Sequence, residues 1–313
     1  MRVRCGLWRT ILLFALLLSP SPPLWAGDCI GVVPAGASRF WTLLGLGAQQ
    51  AGEELGVAVH IRGPSREGGV EAQLQVMERF VARGCKALVV APSGAEIGAR
   101  VSQLRASGIP TIYMDRDLPG GVALGLVATD NFRAGLQAGR YMAELLNGQG
   151  RVALLRLRPG VHSTNERERG FRQGAEAGGL QVVVDQYVGD DSQLAVQALS
   201  AQLGQLDGLF TPNSLTTRTA LAALRRLQQA GQLAHIGFDG DEVLLEALRL
   251  GDIQALFIQQ PRIIGYQAVK LAHQAMRAEL QPVSAHIALE VRLITRANMR
   301  ELHEELEDVP ALP

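Results

Sequence analysis

Short apolar segments alternate along the chain with longer amphipathic ones. The segments at 30–33, 87–90 and 111–114 are almost entirely apolar, which is typical of short strands buried on both faces. Between them, 41–55 and 70–83 carry apolar residues at helical spacing and end next to a glycine. Strands that alternate with helices of about 10–15 residues predict parallel sheets covered by helices on both faces.

The same alternation continues along the chain and predicts about ten strands, including one strand over 287–293. That number is too large for one compact sheet, and 313 residues suffice for two domains of roughly 100–200 residues each. The sequence therefore predicts an α/β protein with two doubly wound lobes. Because no Pro/Ser-rich linker separates them, we expect the boundary in the short turn at Thr129 and Asp130.

The first 26 residues have the features of a secretory signal peptide. Three arginines precede an apolar run at 11–18, a Ser/Pro segment follows it, and the region ends at the small residue Ala26. The apolar run is far shorter than the ~20 residues that span a bilayer. We therefore expect cleavage near Ala26 and export of the mature chain, with a retained membrane anchor as the alternative.

Two cysteines remain after this cleavage, since Cys5 lies within the signal peptide. Cys29 and Cys85 each directly precede a predicted strand. If those two strands are parallel neighbours, their starts lie about 5 Å apart, which is within disulfide reach. An oxidising compartment favours pairing, so we expect a Cys29–Cys85 disulfide; two buried free thiols are the alternative.

Charge and motifs exclude several functional classes. The chain has 30 Lys+Arg and 30 Asp+Glu, so it lacks the basic excess expected of a nucleic-acid binder. It has no Gly-x-Gly-x-x-Gly after the first strand, no Gly-x-Ser-x-Gly, no His-Glu-x-x-His and no Cys-x-x-Cys. We therefore expect no enzymatic activity, no cofactor and no metal site.

Polar and aromatic residues follow several predicted strands at their carboxyl ends, where open parallel sheets bind ligands. Carboxylate, guanidinium and amide groups present paired donors or acceptors that match adjacent hydroxyls of a polyol. Aromatic faces match the C–H face of a sugar ring. The candidate residues are Ser38, Phe40, Trp41, Asp115, Arg116, Arg167, Asn213, Asp239 and Gln259.

Each candidate also has a purely structural interpretation. Phe40 and Trp41 could pack a helix onto its sheet, and Asn213 could be a helix N-cap, a position that Asn favours. Arg167 lies among glutamates and could form solvated helix pairs. Asp115 and Arg116 could form a surface turn, and Asp239 could be a turn residue. The clustering of so many such residues at one end of successive strands favours a binding site.

Six short motifs occur in an order and spacing that resemble the ribose/galactose-type periplasmic binding proteins, the substrate-binding subunits of sugar ABC importers. The resemblance extends from Ile30 to about Ile294 and depends on the motifs together rather than on any single one. The motifs are Arg83-Gly84, 109–116, Thr129-Asp130-Asn131, 167–171, 237–240 and Gln259-Gln260-Pro261.

This resemblance implies two Rossmann-like lobes joined by three hinge crossings, with a sugar held between them. The N-terminal lobe would comprise 27–129 and 260–289, and the C-terminal lobe 130–259 and 290–313. Phe40 and Trp41 would sandwich the sugar ring. The ring hydroxyls would be bound from the N-terminal lobe by Asp115 and Arg116, from the C-terminal lobe by Arg167, Asn213 and Asp239, and from a hinge by Gln259.

The chain departs from the family pattern at two further candidate positions. Ser38 stands where the family usually has Asn, and Asp190 stands where the second lobe usually has an aromatic residue. Losing that ring weakens one stacking face and adds a carboxylate. We therefore expect a more polar or cationic ligand, or a different polyol, at least as readily as plain ribose.

Together these features predict a monomeric periplasmic protein that captures a sugar or polyol and delivers it to an inner-membrane ABC permease. The alternative is a ligand sensor that presents the same closed form to a sensor histidine kinase or a chemoreceptor. A sugar-responsive repressor would share the two-lobed core, but it would carry a DNA-binding helix-turn-helix where this chain has an export signal.

Overall fold

The computed structural model describes residues 28–66, 68–120, 122–278, 285–300 and 302. The expected signal peptide at 1–26 and the acidic segment after Leu302 lie outside these residues. None of the helices in the described ranges combines the length and apolar character that a membrane crossing requires.

Strands and helices alternate through these residues. The strands are β1 Cys29–Val33, β2 Ala58–Ile61, β3 Ala87–Val90, β4 Thr111–Met114, β5 Gly125–Thr129, β6 Gly150–Arg156, β7 Leu180–Tyr187, β8 Gly208–Phe210, β9 Ala234–Phe238, β10 Ala255–Ile258, β11 Ala285–Leu289 and β12 Arg292–Thr295. The helices are α1 Arg39–Leu55, α2 Val70–Ala82, α3 Ala95–Ala106, α4 Asn131–Leu145, α5 His162–Ala177, α6 Ser192–Ser200, α7 Ser214–Arg226, α8 Glu242–Leu250 and α9 Pro261–Met276.

The strands form two six-stranded sheets with equivalent strand orders. The first sheet has the order β11-β5-β4-β3-β1-β2, and the second has β12-β10-β9-β8-β6-β7. The pairings are parallel except for β12, which runs antiparallel to β10. Helices cover both faces of each sheet. This arrangement confirms the predicted fold of two doubly wound, Rossmann-like lobes.

One predicted strand was wrong in its extent. The structure divides 287–293 into the end of β11, in the first sheet, and the start of β12, in the second. Apolar residues alternate without a break across the crossing, because Ile287 and Leu289 pack against the first core and Val291 and Leu293 against the second. Sequence periodicity alone therefore gave no sign of the change of sheet.

The chain passes between the two sheets three times, after β5, after β10 and between β11 and β12. Helix α4 then packs in the core of the second sheet, and α9 packs in that of the first. The strands of each sheet lie on the expected side of the crossings at 129/130, 259/260 and 289/290. The exact lobe bounds stay a prediction.

Glycines bring the helix pairs α1–α9 and α4–α5 into backbone contact. A Cβ atom added at Gly135 would overlap the carbonyl oxygen of Arg167, and one added at Gly170 would overlap that of Phe132. The same close approach joins Gly47 of α1 to Arg262 of α9. Because a side chain has no room here, glycine fixes the position of α5 relative to α4.

The two cysteines of the expected mature chain form a disulfide at the amino end of the first sheet. β1 and β3 are parallel neighbours, with Ile30 opposite Ala87, and the Cα atoms of Cys29 and Cys85 lie 4.4 Å apart. The bridge closes a loop of sequence separation 56. In the chain-entropy account, a loop of this length stabilises the fold by roughly 4 kcal/mol.

We expect a Cys29→Ser/Cys85→Ser double variant to lose up to about 4 kcal/mol of unfolding free energy in urea titrations, because its unfolded chain is less restrained. Ligand affinity should be unaffected, since the bridge lies at the opposite end of the strands from their carboxyl edge. Thiol titration of the denatured, unreduced mature protein should detect no free thiol. Detection of two would contradict the bridge.

Gly135→Ala should destabilise the protein by about 1–3 kcal/mol, because overpacking forces α4 and α5 apart. Gly204→Ala is the matched control, since an added Cβ there meets no atom within 4 Å. Thermal unfolding of both variants measures the difference. Equal stability of the two would show that the α4–α5 contact tolerates a side chain.

Candidate ligand-binding site

A small cavity lies where the carboxyl ends of the two sheets face each other. Its volume is about 30 Å³, roughly the share of one water molecule in the liquid. Nine of the ten predicted ligand-binding residues line it, all except Asp190. The structure thus brings together side chains that follow strands of both sheets.

Asp115 and Asp239 occupy equivalent positions, directly after β4 and β9. Both have a left-handed backbone, with φ of 63° and 65° respectively, a conformation that few residues other than glycine adopt. Their amides donate to Val127 and Phe257, on the neighbouring strands. Such backbone strain, repeated at one place in each sheet and facing a cavity, is typical of functional sites.

On the first sheet, Asp115 is paired with a buried guanidinium. Arg116 Nε lies 3.3 Å from Asp115 Oδ2, and the two residues are only 6% and 5% exposed. The Arg116 guanidinium also lies 5.4 Å from the ring centre of Trp41, which packs edge-on against Phe40. The half-buried Phe40 and the buried Trp41 therefore belong to the cavity wall as well as to the helix packing.

On the second sheet, Arg167 of α5 is 2% exposed and held by three hydrogen bonds. Its Nε donates to Asn131 Oδ1 at 2.7 Å, and its Nη1 donates to the Pro212 carbonyl at 2.8 Å. Its Nη2 donates to Gln259 Oε1 at 2.6 Å, and its guanidinium stacks 4.1 Å from the Phe238 ring centre. These contacts contradict the interpretation of Arg167 as a solvated helix residue.

The charge of Arg167 also interacts with the carboxylates on both sides of the cavity. Burial lowers the pKa of Arg167, and the negative charges of Asp239 and Asp115 oppose this change. Asp115 follows a strand of the first sheet, and Asp239 follows a strand of the second. The guanidinium is therefore attracted to both halves of the site.

Gln259 connects the site to the crossings between the sheets. Its Oε1 accepts from Thr129 Oγ1 at 2.7 Å as well as from Arg167, and its Nε2 donates to Asp239 Oδ1 at 2.7 Å. Thr129 ends β5 at the first crossing, and Gln259 follows β10 at the second. Any change in the angle between the sheets therefore acts directly on these hydrogen bonds.

Asn213 is both the N-cap of α7 and a residue of the cavity wall. Its Oδ1 accepts from the Thr216 amide at 3.0 Å and from the Thr216 hydroxyl at 2.7 Å, as an N-cap of α7. It also lines the cavity. The neighbouring Ser214 amide donates to Asp239 Oδ2 at 3.1 Å, so the start of α7 and the turn after β9 are joined.

Asp190 does not line the cavity in this structure, unlike the other nine predicted residues. It is exposed in the turn between β7 and α6. The next residue, Asp191, caps α6 by accepting from the Gln193 and Leu194 amides, each at 2.9 Å. The turn is therefore organised by the helix cap.

Three lining residues were missed by the sequence analysis: Ser163, Thr164 and Ser214. Ser163 and Thr164 precede Arg167 by four and three positions on α5, so they share its helix face. Both are less than 4% exposed. This spacing would have indicated them once Arg167 was accepted as a site residue.

The described residues contain one cluster of metal-ligand type, formed by Cys29, His60 and Cys85. The disulfide joins both of its sulfurs. It lies at the amino end of the first sheet and takes no part in the cavity.

A buried polar network supports the second-sheet half of the site. Thr217 Oγ1 donates to the Asn213 carbonyl at 2.7 Å and accepts from the Phe238 amide at 3.2 Å. Thr211 Oγ1 lies 2.9 Å from Thr217 Oγ1 and 3.0 Å from His235 Nε2. Burial lowers the pKa of His235 to about 3, so the ring is neutral in this network at physiological pH.

The lowered pKa of His235 predicts acid sensitivity. Its stabilising contribution is complete above the ordinary pKa of about 6.5 and is lost as pH falls toward the folded value of about 3. We compare the unfolding free energy of the wild type with that of His235→Gln. The difference, wild type minus variant, should fall by up to about 1.4 kcal/mol for each unit by which the pH is lowered across this window. Denaturant titrations at several pH values measure it, with exposed His286→Gln as control. A pH-independent difference would contradict the assignment.

Comparison with known proteins places this geometry in a family. Residues 30–280 match the family model of the periplasmic binding protein domain. The ribose import binding protein RbsB of Haemophilus influenzae is 29% identical over 261 residues, which cover 82% of this chain and 87% of that protein.

Two solved structures are also similar. The periplasmic component of an ABC-type sugar transport system from Hahella chejuensis is 36% identical, with a TM-score of 0.77 over 85% of this chain and 99% of that one. A carbohydrate transporter solute-binding protein from Agrobacterium radiobacter, in complex with D-arabinose, is 26% identical, with a TM-score of 0.81 over 90% and 98%. The two sheets have equivalent strand orders and enclose a cavity between them. Together with the match of the family model, this shows that the chain belongs to the periplasmic binding protein family.

Proposed function

We propose that this protein binds a sugar or a related polyhydroxylated molecule between its two lobes in the periplasm and delivers it to an ABC importer. The observation that carries the proposal is that both halves of the molecule contribute an aspartate and an arginine to one cavity. The proposed importer role is supported by the names of the relatives, which are import and transport proteins.

The charges of this cavity favour a neutral, hydroxylated group on the part of the ligand that lies within it. Asp115 and Asp239 balance Arg116 and Arg167, so a ligand gains nothing from a net charge of its own within this space. Each hydrogen bond from a sugar hydroxyl to one of these groups contributes roughly 1.5–3 kcal/mol. Several of them, less the cost of closing the lobes, reach the ~8 kcal/mol of a micromolar binder.

The cavity is too small for a sugar unless the lobes move apart. A volume of about 30 Å³ is that of a water molecule rather than of a sugar ring. The ligand would therefore enter an opened cleft and be enclosed when the lobes rotate about the three crossings. Hinge closure of this kind is the structural change that a partner recognises.

The importer role is preferred to the sensor alternative. An importer subunit and a sensor undergo the same closure of the lobes and differ in the partner protein that binds the closed form. The curated relatives are named as import proteins. Adjacent genes for a permease and an ATPase would support the importer, whereas an adjacent histidine kinase gene would favour the sensor.

Asp239→Asn should weaken sugar binding by about tenfold or more, because the variant loses a charged acceptor for ligand hydroxyls. Asp190→Ala is the control and should bind with wild-type affinity, since Asp190 lies outside the cavity. A thermal-shift screen with pentoses, hexoses and inositols would identify the ligand, and calorimetry would measure the affinities.

Two results would contradict different parts of this proposal. Equal affinity in Asp239→Asn and wild type would remove Asp239 from the site. Failure of the wild-type protein to bind any sugar or polyol would overturn the proposed function.

A further inference from the structure

A second, larger cavity adjoins the first. Its volume is about 450 Å³, within the range of small-molecule pockets. The two cavities have five wall residues in common, so they are neighbours. The common residues are Ser38, Phe40, Ser214, Asp239 and Gln259.

The wall of the larger cavity carries an excess of positive charge. It contains four arginines, Arg39, Arg218, Arg262 and Arg292, against two aspartates, Asp239 and Asp241. We call this space the arginine crevice. Its described walls therefore sum to a charge of +2, whereas the charges of the smaller cavity cancel.

Two of these arginines carry the excess. Arg218 Nη2 lies 2.6 Å from Asp241 Oδ2, which neutralises that pair. Arg39 and Arg262 form no ion pair with any other residue of the described ranges. Arg39 is the first residue of α1 and Arg262 the second of α9, two helices whose amino ends have no side-chain cap. The positive end of each helix dipole adds to the potential there.

The remaining walls of the crevice are largely apolar. Leu43, Ile258 and Ile263 line it together with the ring of Phe40. An ion pair formed beside such walls is screened less than one in open water. An anion inside the crevice would therefore interact with the half-buried Arg262 more strongly than with an arginine at an open surface, and the exposed Arg39 would add its charge at the rim.

We propose that the ligand is a sugar or polyol with an anionic substituent, its hydroxylated part in the smaller cavity and its phosphate or carboxylate in the arginine crevice. This inference rests on the proposed function and narrows its ligand class. Arginine guanidinium groups bind both kinds of oxyanion in bidentate geometry. Because Arg39 and Arg262 belong to one proposed lobe and Arg218 and Arg292 to the other, the substituent would also favour closure.

The test compares matched neutral and anionic ligands by calorimetry on the intact mature protein. The pairs are D-ribose with D-ribose 5-phosphate, and D-glucose with D-glucose 6-phosphate and D-glucuronate. The anionic member of a pair should bind at least tenfold more tightly than the neutral one. Comparing the affinities of D-glucose 6-phosphate and D-glucuronate shows whether the crevice prefers a phosphate or a carboxylate. This preference should shrink as salt is added, because added ions screen the interaction.

Variants assign the preference to the crevice. Arg262→Gln should reduce the ratio of anionic to neutral affinity toward one. Arg140→Gln, which removes an exposed arginine of α4 far from the crevice walls, should keep the wild-type ratio. Asp239→Asn should weaken both members of a pair, because it changes the cavity that holds the hydroxylated part.

Two outcomes overturn the inference. Neutral sugars that bind as tightly as their anionic counterparts would refute it and leave the proposed function intact. Failure of every ligand to bind would refute both.

Discussion

A buried guanidinium needs partners on every side, and Arg167 obtains them from several separate parts of the chain. Its donors reach Asn131 on α4, the Pro212 carbonyl after β8 and Gln259 at a crossing between the sheets. Removing such a group from water is costly unless its hydrogen bonds are satisfied. The site can therefore form only when the helices, the strand ends and the crossing are all in place.

Close backbone packing supplies the necessary precision. Gly135 and Gly170 allow α4 and α5 to touch along their backbones, so the position of Arg167 on α5 is fixed relative to Asn131 on α4. The left-handed turns at Asp115 and Asp239 place one carboxylate from each sheet into the cavity. Lobes packed in this way would confine the proposed closure to the three crossings between the sheets.

The fold and much of the candidate site could be predicted from the sequence, because strand periodicity and the position of polar residues at strand ends are local properties. Nine lining residues follow from that rule together with the family resemblance. Asp190, the tenth candidate, is exposed in this structure because a helix cap by its neighbour determines the turn. The arginine crevice could not be foreseen, since Arg39 and Arg262 are far apart in sequence and are brought to one cavity only through the contact between α1 and α9.

The crossing between β11 and β12 also affects how the molecule is made. These consecutive strands occupy the outer edge of the first sheet and the outer edge of the second. A nascent chain that stops before residue 285 lacks an edge strand in both halves, so neither half can complete its hydrogen-bonded sheet. Both sheets are therefore completed only when the last part of the polypeptide is available.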